Sequence, residues 1–365
     1  MANELRYSAV CLLALTVGVC AQDHAGWTVG DSRNGYGMIL HSVDSGNTWT
    51  RQGTGQIVDA NMSSVSAVNP NVAWASGDPS GGYGTIYRTT NGGGTWTRMG
   101  SAASIPDITL TKICALNATN VWAVGTGAIL HTTDGGNTWT NLVPSGYEST
   151  HLQGLFALDA TNVWVSGAAR DGYATLLKST DAGASWTRLS GGAVTNADHL
   201  IGISAANAQT VWAVGGTGEG YIVLNTTDAG NTWTWQTGVI GTWDANEVCA
   251  VSTSVVWVAA DMNISWSRDG GANWESQFSG NYTLGMCALS ASEAWASRAT
   301  FNGTIFHTTD AGTNWTQITQ LDGETLPGMH AISFAPQAIP EPSAFMLCLA
   351  GLSLAAFRLK RRRAW

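Results

Sequence analysis

Thr132-Thr133-Asp134-Gly135-Gly136-Asn137-Thr138-Trp139 decides the fold, because the chain repeats it. The pattern Ser/Thr-x-Asp-x-Gly-x-x-Trp returns as SVDSGNTW over 42–49, TTNGGGTW over 89–96, STDAGASW over 179–186 and TTDAGNTW over 226–233. SRDGGANW over 267–274 and TTDAGTNW over 308–315 complete the series. The closing tryptophans, at 49, 96, 139, 186, 233, 274 and 315, are 41 to 47 residues apart. A second motif, apolar-Trp-apolar-x-Gly, keeps step with the first at Trp27, Trp74, Trp122, Trp164 and Trp212, with degraded copies at Trp257 and Trp295. Each of these lies 17 to 22 residues ahead of its partner. A period in the forties built from short strands predicts an all-β propeller of seven four-stranded blades.

The composition of the repeated octet fits a tight turn between the third and fourth strands. A short carboxylate accepts hydrogen bonds from turn amides, glycine supplies a left-handed backbone position, and the tryptophan offers a large apolar surface to the neighbouring sheet. Asn91 replaces the Asp of the second copy, which keeps the acceptor and drops the charge. Asp44, Asn91, Asp134, Asp181, Asp228, Asp269 and Asp310 therefore read as structural residues, with a calcium site as the alternative.

The octet is similar to the Asp-box, or bacterial neuraminidase, repeat. The pairing VWAVG…GAILHTTDGGNTW over 121–139 also resembles repeats of the photosystem II assembly and stability factor family. The resemblance covers about residues 25 to 318 and implies a propeller, a fold that hosts many functions.

The first unit has no strand of its own ahead of Trp27, whereas the others do, as in Val65-Ser66-Ala67-Val68 or Ile113-Cys114-Ala115-Leu116. A spare strand of the same type, Met329-His330-Ala331-Ile332-Ser333-Phe334, stands near the far end. It is expected to complete the first blade, because the ring would otherwise keep an open pairing edge. The 44 glycines of 365 residues suit the many turns, and 11% charged residues suit a large sheet core. No regular helix is expected outside the two termini.

Residues 1–21 read as a signal peptide: Arg6, an apolar run from Ala9 to Val19, and Val19-Cys20-Ala21 ahead of a cut. Residues 22–336 form the propeller. In residues 337–365, Pro340-Glu341-Pro342 precedes an apolar run from Ala344 to Phe357 and a cluster of Arg358, Lys360, Arg361, Arg362 and Arg363. That run is short for a membrane span, and the basic cluster would remain cytoplasmic. The layout is similar to the PEP-CTERM sorting signal. It implies a Gram-negative bacterium, processing by an exosortase, and a final place at the cell surface or in the extracellular matrix, commonly alongside exopolysaccharide. The alternative is a plain C-terminal anchor. Without both ends the chain carries 10 basic and 23 acidic residues, a net charge of −13. Such a surface disfavours nucleic acid and anionic membrane as partners, and the membrane is expected to matter only through the tail.

Three cysteines of the propeller, Cys114, Cys249 and Cys287, each lie eight residues before a second-motif tryptophan. They occupy one repeat position on inner strands and read as free, buried thiols. His41, His131 and His307 are likewise repeat-equivalent and read as packing residues, and no metal or cofactor is expected. Hairpins between strands two and three share a face with the interblade loops, and that face is where a ligand belongs. Its candidates are Tyr36, Tyr83, Tyr173 and Tyr221, which end four hairpins as Gly-Tyr, together with Asp198, Trp243, Asp244 and Tyr282 in interblade loops; His199 and Glu247 are placed in the same loops. Each Tyr either stacks on a sugar or packs its own hairpin.

Two carboxylates flanking a sugar bond are what glycoside hydrolysis needs, and sialidases carry Asp-boxes. Beyond the boxes the match ends. There is no Phe/Tyr-Arg-Ile-Pro segment, and Arg51, Arg98 and Arg188 follow turn tryptophans and so belong to outer strands. Xyloglucan hydrolases with Asp-boxes use a cleft between two propellers. The sequence therefore supports an exported, non-catalytic protein that binds a polysaccharide or an envelope protein, with a divergent glycosidase and an assembly factor as alternatives.

Overall fold

The computed structural model describes residues 23–335, apart from 59, 191, 240–243, 280–281 and 301. The leader, the tail with Pro340, Glu341 and Pro342, and Trp243 lie outside the described residues. The described chain is all-β, with one short 3-10 turn at Gly192–Asn196. Among the described residues no helix is long and apolar enough to cross a membrane.

The strands form antiparallel four-stranded units. Five are separate sheets, and units 4 and 5 are joined through the single pairing of Ala168 with His199. Unit 3 shows the plan: Leu110–Ala115 innermost, then Val121–Gly125, Ala128–Thr132 and the outer Thr140–Asn141. The innermost strands of units 2, 4, 5, 6 and 7 are Met62–Asn69, Leu152–Ala157, His199–Ala205, Ala245–Ala250 and Thr283–Ala288. Unit 1 takes its innermost strand from the other end of the chain. Met329–Phe334 pairs with Gly26–Arg33, setting Trp27 opposite Ser333 and Val29 opposite Ala331. The same strand touches the innermost strands of units 7 and 2. A small hairpin, Gln320–Leu321 with Glu324–Thr325, precedes it.

One repeat position stitches the innermost strands together. The backbone N–H of Ala67 donates to Ser333 Oγ at 3.0 Å, that of Ala115 to Ser66 Oγ at 3.0 Å and that of Ala250 to Ser204 Oγ at 3.1 Å. Ala288 N–H donates to Cys249 Sγ at 3.3 Å, and Cys114 and Cys287 are bonded likewise to the backbone of Ala157 and Phe334. These cysteines are free and, against the expectation of full burial, half-buried; their thiols act as acceptors in a polar ring rather than as plain apolar filler. Burial pushes Cys249 up to about 11 and Cys287 to about 12, so they remain neutral thiols. Phe156 is the exception at this position and offers no acceptor.

The second-strand tryptophans, Trp27, Trp74, Trp122, Trp164, Trp212, Trp257 and Trp295, are at most 1% exposed. Each is paired on the third strand with a side chain that covers its ring or borders it: His41, Arg88, His131, Lys178, Asn225, Trp266 and His307 in turn. His41, His131 and His307 stack on their partners at 4.3, 3.8 and 4.7 Å. Arg88 and Lys178 sit over theirs as cation–π pairs.

The Asp turns repeat one hydrogen-bond cage. In unit 3, Thr132 Oγ1 donates to Asp134 Oδ1 at 2.8 Å and accepts from Gly136 N–H at 3.0 Å. Asp134 also accepts from the Thr138 amide at 3.0 Å and the Thr138 hydroxyl at 2.6 Å. Two successive residues after the Asp are left-handed. The first tolerates a side chain, as at Ser45, Ala182, Ala229 and Ala311. The second is always glycine, and Gly136 shows why: a Cβ there would meet the rim of Trp74 at 2.9 Å. Thr138, through its hydroxyl and its amide, and then Thr132 hold the Asp134 carboxyl down to about 2, and Asp228 and Asp269 are held to about 2 by equivalent partners.

A carboxylate whose folded pKa is depressed stabilises the fold above its ordinary value of 3.8, and that stabilisation is lost as pH falls toward the folded value. The melting temperature is therefore expected to be level down to about pH 5, then to fall between about pH 4 and pH 2. Asp134→Asn should fold, as Asn91 does in the same cage, and should reduce the acid sensitivity. A melting temperature independent of pH over that range contradicts this reading of the turns.

Candidate functional site

The innermost strands start on the face that carries the strand-two to strand-three hairpins, and the Asp turns lie on the opposite face. Residues at those strand starts converge from all seven units on a mouth of about 220 Å³, lined by Ser63, Lys112, Gln153, Asn246, Glu247 and His330 among others. Lys112 of unit 3 donates across it to Glu247 Oε2 of unit 6. Below this bar lies a second space of about 180 Å³, bordered by Cys114, Phe156, Cys249 and Cys287. The side chains of Lys112 and Glu247 are 25% and 11% exposed, so the pair is largely withdrawn from water and each charge depends on the other.

The other polar groups around the mouth are also hydrogen-bonded or paired. His199 Nε2 lies 3.1 Å from Asp244 Oδ2, and His330 Nε2 lies 3.1 Å from Asp31 Oδ1. Asn246 Nδ2 donates to Asp261 Oδ1 at 2.8 Å, and Asp78 accepts from Asn61 and from Thr109 at 2.9 Å each. Burial, with Asp244 adding negative charge nearby, raises Asp261 from its ordinary value, and the Tyr282 hydroxyl bonds it. Among the described residues no three His, Cys, Asp or Glu side chains converge to hold a metal ion.

Of the sequence candidates, Asp244 and Tyr282 belong to this cluster. Asp198 stands exposed at the start of unit 5, its amide bonded to Gly216 O. Glu247 and His199 are strand residues rather than loop residues. The four tyrosines are not gathered, and they are not equivalent. Arg98 covers Tyr83 at 3.7 Å and Arg188 covers Tyr173 at 4.0 Å, each also donating to hairpin carbonyls. In unit 1, Tyr36 bridges to Val58, and Arg51 donates to Arg33 O at 3.2 Å. Tyr83 and Tyr173 thus pack their hairpins. Tyr221 is displaced by one residue in register, and its hydroxyl donates to Val239 O.

Sequence reasoning missed Lys112, Asn246, Asp261 and His330. A signal existed for part of the cluster: Asp31, Asp78 and Asp261 each stand four residues after a second-motif tryptophan. Lys112 and Glu247 are 135 residues apart, and only the meeting of units 3 and 6 across the channel relates them.

The Lys112–Glu247 bar generates a test. Lys112→Met should destabilise by about 1–3 kcal/mol, less than the ~3–5 kcal/mol for breaking a fully buried pair. Adding Glu247→Leu should restore most of the loss. Additive losses in urea titrations of the cycle contradict a coupled pair.

Residues 338–363 match the PEP-CTERM protein-sorting motif. No curated protein sequence matches the chain. Among solved structures the chain is similar to YCF48 bound to a D1 peptide, with 17% identity over 82% of this chain and 90% of that one, at a TM-score of 0.57. It is similar to YCF48 from Cyanidioschyzon merolae, with 13% identity over 73% and 87% and a TM-score of 0.53. It is also similar to the GH74 enzyme of Niastella koreensis, with 18% identity and a TM-score of 0.54, covering 86% of this chain but 61% of that one. At these identities the likeness concerns the fold, which is that of β-propellers. The sorting motif implies an exported protein of a Gram-negative bacterium, anchored as a precursor and processed by an exosortase.

Proposed function

We propose that this chain is a non-catalytic binding protein of the cell surface or extracellular matrix, whose mouth face engages a polysaccharide. Its leader is residues 1–21, its binding domain residues 22–336 and its sorting tail residues 337–365. The seven units are read as the blades of one ring, joined by Met329–Phe334, with the Asp turns as Asp-boxes that brace it. The observation that carries the reading is that the polar side chains around the mouth are engaged with one another. Lys112 with Glu247, His199 with Asp244 and His330 with Asp31 are engaged with each other, and a set of satisfied donors and acceptors suits hydroxyl-rich ligands rather than proton transfer. Asp244, Tyr282, Asp198 and Trp243 remain candidates on that face, whereas the tyrosines under arginine are withdrawn from it.

A second reading, a divergent glycoside hydrolase, has one observation in its favour. Burial raises Asp261 above its ordinary value, with Asp244 nearby, and glycoside hydrolysis uses two carboxyl groups, one of them an acid of raised pKa. The GH74 fold likeness fits it, but this chain spans about three-fifths of that enzyme.

Two measurements test the proposal. The mature protein on a glycan array should bind polysaccharide and should not hydrolyse the same glycans over long incubation. Turnover abolished by Asp261→Asn or Asp244→Asn overturns it in favour of the hydrolase. Mass spectrometry of the native protein should show the tail cut near Pro340-Glu341-Pro342, and a surface-exposed form that still ends at Trp365 contradicts processing.

A further inference from the structure

Comparison of the seven units with one another exposes a second place on the surface. The second residue after the turn tryptophan faces the third strand: Arg51 opposite Leu40, Arg98 opposite Tyr87, Asn141 opposite Leu130 and Arg188 opposite Leu177 in units 1 to 4, Ser276 opposite Ser265 in unit 6 and Gln317 opposite Phe306 in unit 7. Units 1 to 4 show its role. In those four units it seals the adjoining hairpin. The arginines bond its carbonyls, and Asn141 accepts from Ile129 N–H at 3.0 Å. In unit 5 the residue at that register is Trp235, opposite Leu224, and it is 42% exposed. The tyrosine that the arginine covers in units 2 and 4 has also moved. Tyr173 lies four residues before Leu177, but Tyr221 lies three before Leu224, so Gly220 occupies the tyrosine's register. A slip of one residue turns a side chain to the other face of a strand, and Tyr221 accordingly points toward Val239. Thr217 Oγ1 closes the hairpin instead, donating to Gly220 O at 3.0 Å.

The exchange of Arg for Trp and the loss of the Tyr leave a groove of about 330 Å³. Trp235 supplies its aromatic wall, the backbone around Gly220 and Tyr221 its floor, and Thr217, Glu219, Gln236 and Thr237 supply polar groups. That volume lies at the lower end of small-molecule sites, and so does the pairing of aromatic surface with a few polar groups. An exposed indole costs solvation, and the polar residues of the six sister units, arginine in three of them, show that the fold at this position needs no indole. We propose that the unit 5 groove is a sugar-binding subsite that stacks one pyranose ring of a neutral polysaccharide on Trp235, with Glu219 and Thr217 accepting its hydroxyls. The C–H face of a pyranose matches an indole face, its equatorial hydroxyls match the polar rim, and Glu219 in a domain of net charge −13 disfavours an anionic sugar. The subsite rests on the polysaccharide reading above but lies away from the mouth.

The test is calorimetric titration of the mature protein with dextran, mixed-linkage β-glucan and polygalacturonate. Three variants are compared: Trp235→Arg, which restores the sister-unit residue and should fold, Trp235→Phe, and Asn246→Ala at the mouth. The expected result is binding of a neutral glucan that Trp235→Arg weakens at least tenfold with its melting temperature kept, and that Trp235→Phe weakens less. Neutral-glucan binding unchanged in Trp235→Arg but lost in Asn246→Ala overturns the groove and leaves the polysaccharide reading standing. Binding of polygalacturonate alone overturns the neutral-sugar assignment. No binding of any of the three by the parent protein overturns the groove and leaves the wider glycan array to judge the polysaccharide reading.

Discussion

The structure depends on an aromatic contact made between units rather than within them. The second-strand tryptophan of one unit meets the turn tryptophan of the next edge-on: Trp74 with Trp139 at 6.2 Å, Trp122 with Trp186 at 6.3 Å, Trp212 with Trp274 at 5.8 Å and Trp257 with Trp315 at 6.3 Å. Such pairs add about 0.5–1.5 kcal/mol beyond the area they bury. The contact explains why the two motifs keep step along the chain, since each is one half of a joint completed by its neighbour. It also explains the invariant glycine of the Asp turn, whose missing Cβ gives the rim of the incoming tryptophan its space. The carboxylate cage holds that turn at the angle the contact needs.

Of the other three junctions, that between units 4 and 5 sets Leu189 against the turn glycine Gly230, and two use substitutes. Between units 1 and 2, Gln52 Oε1 accepts from Trp27 Nε1 at 3.2 Å and from Trp96 Nε1 at 3.4 Å, and its amide donates to Gly92 O. Between units 7 and 1 the strand from the far end of the chain intervenes: Phe334 stacks on Trp295 at 3.8 Å and meets Trp49 edge-on at 5.9 Å. Trp295 Nε1 donates onward to Ser45 O at 3.0 Å. The junction between the two chain ends is thus built with the same chemistry as the internal ones.

The repeat arithmetic made the strands, turns and spare inner strand legible, because each is written in residues whose backbone or packing role is local. The polar ring of the innermost strands was half legible: the Ser and Cys share a visible repeat position, but their role as acceptors needs the neighbouring strand. The mouth was hardly legible at all. Lys112 and Glu247 come from units 3 and 6, and neither sits in a motif. The difference among the tyrosines was not legible, because Gly-Tyr looks alike in four units, whereas register, set by distance from the turn, puts Tyr221 on the other face. The same one-residue slip and one Arg-to-Trp exchange distinguish unit 5 from its sisters.

Function follows from where the repeat is kept and where it is broken. The Asp-turn face is uniform and on the proposed reading braces the architecture, while the opposite face varies unit by unit and holds the paired polar groups and the open groove. The central claim is that the far-end strand is a full member of the ring, and a double-mutant cycle between Phe334 and Trp49 tests it most directly. The account predicts a coupling of about 0.5–1.5 kcal/mol, equal within error to that of the internal pair Trp74 and Trp139. A coupling of zero at Phe334–Trp49 beside a normal internal value would contradict it.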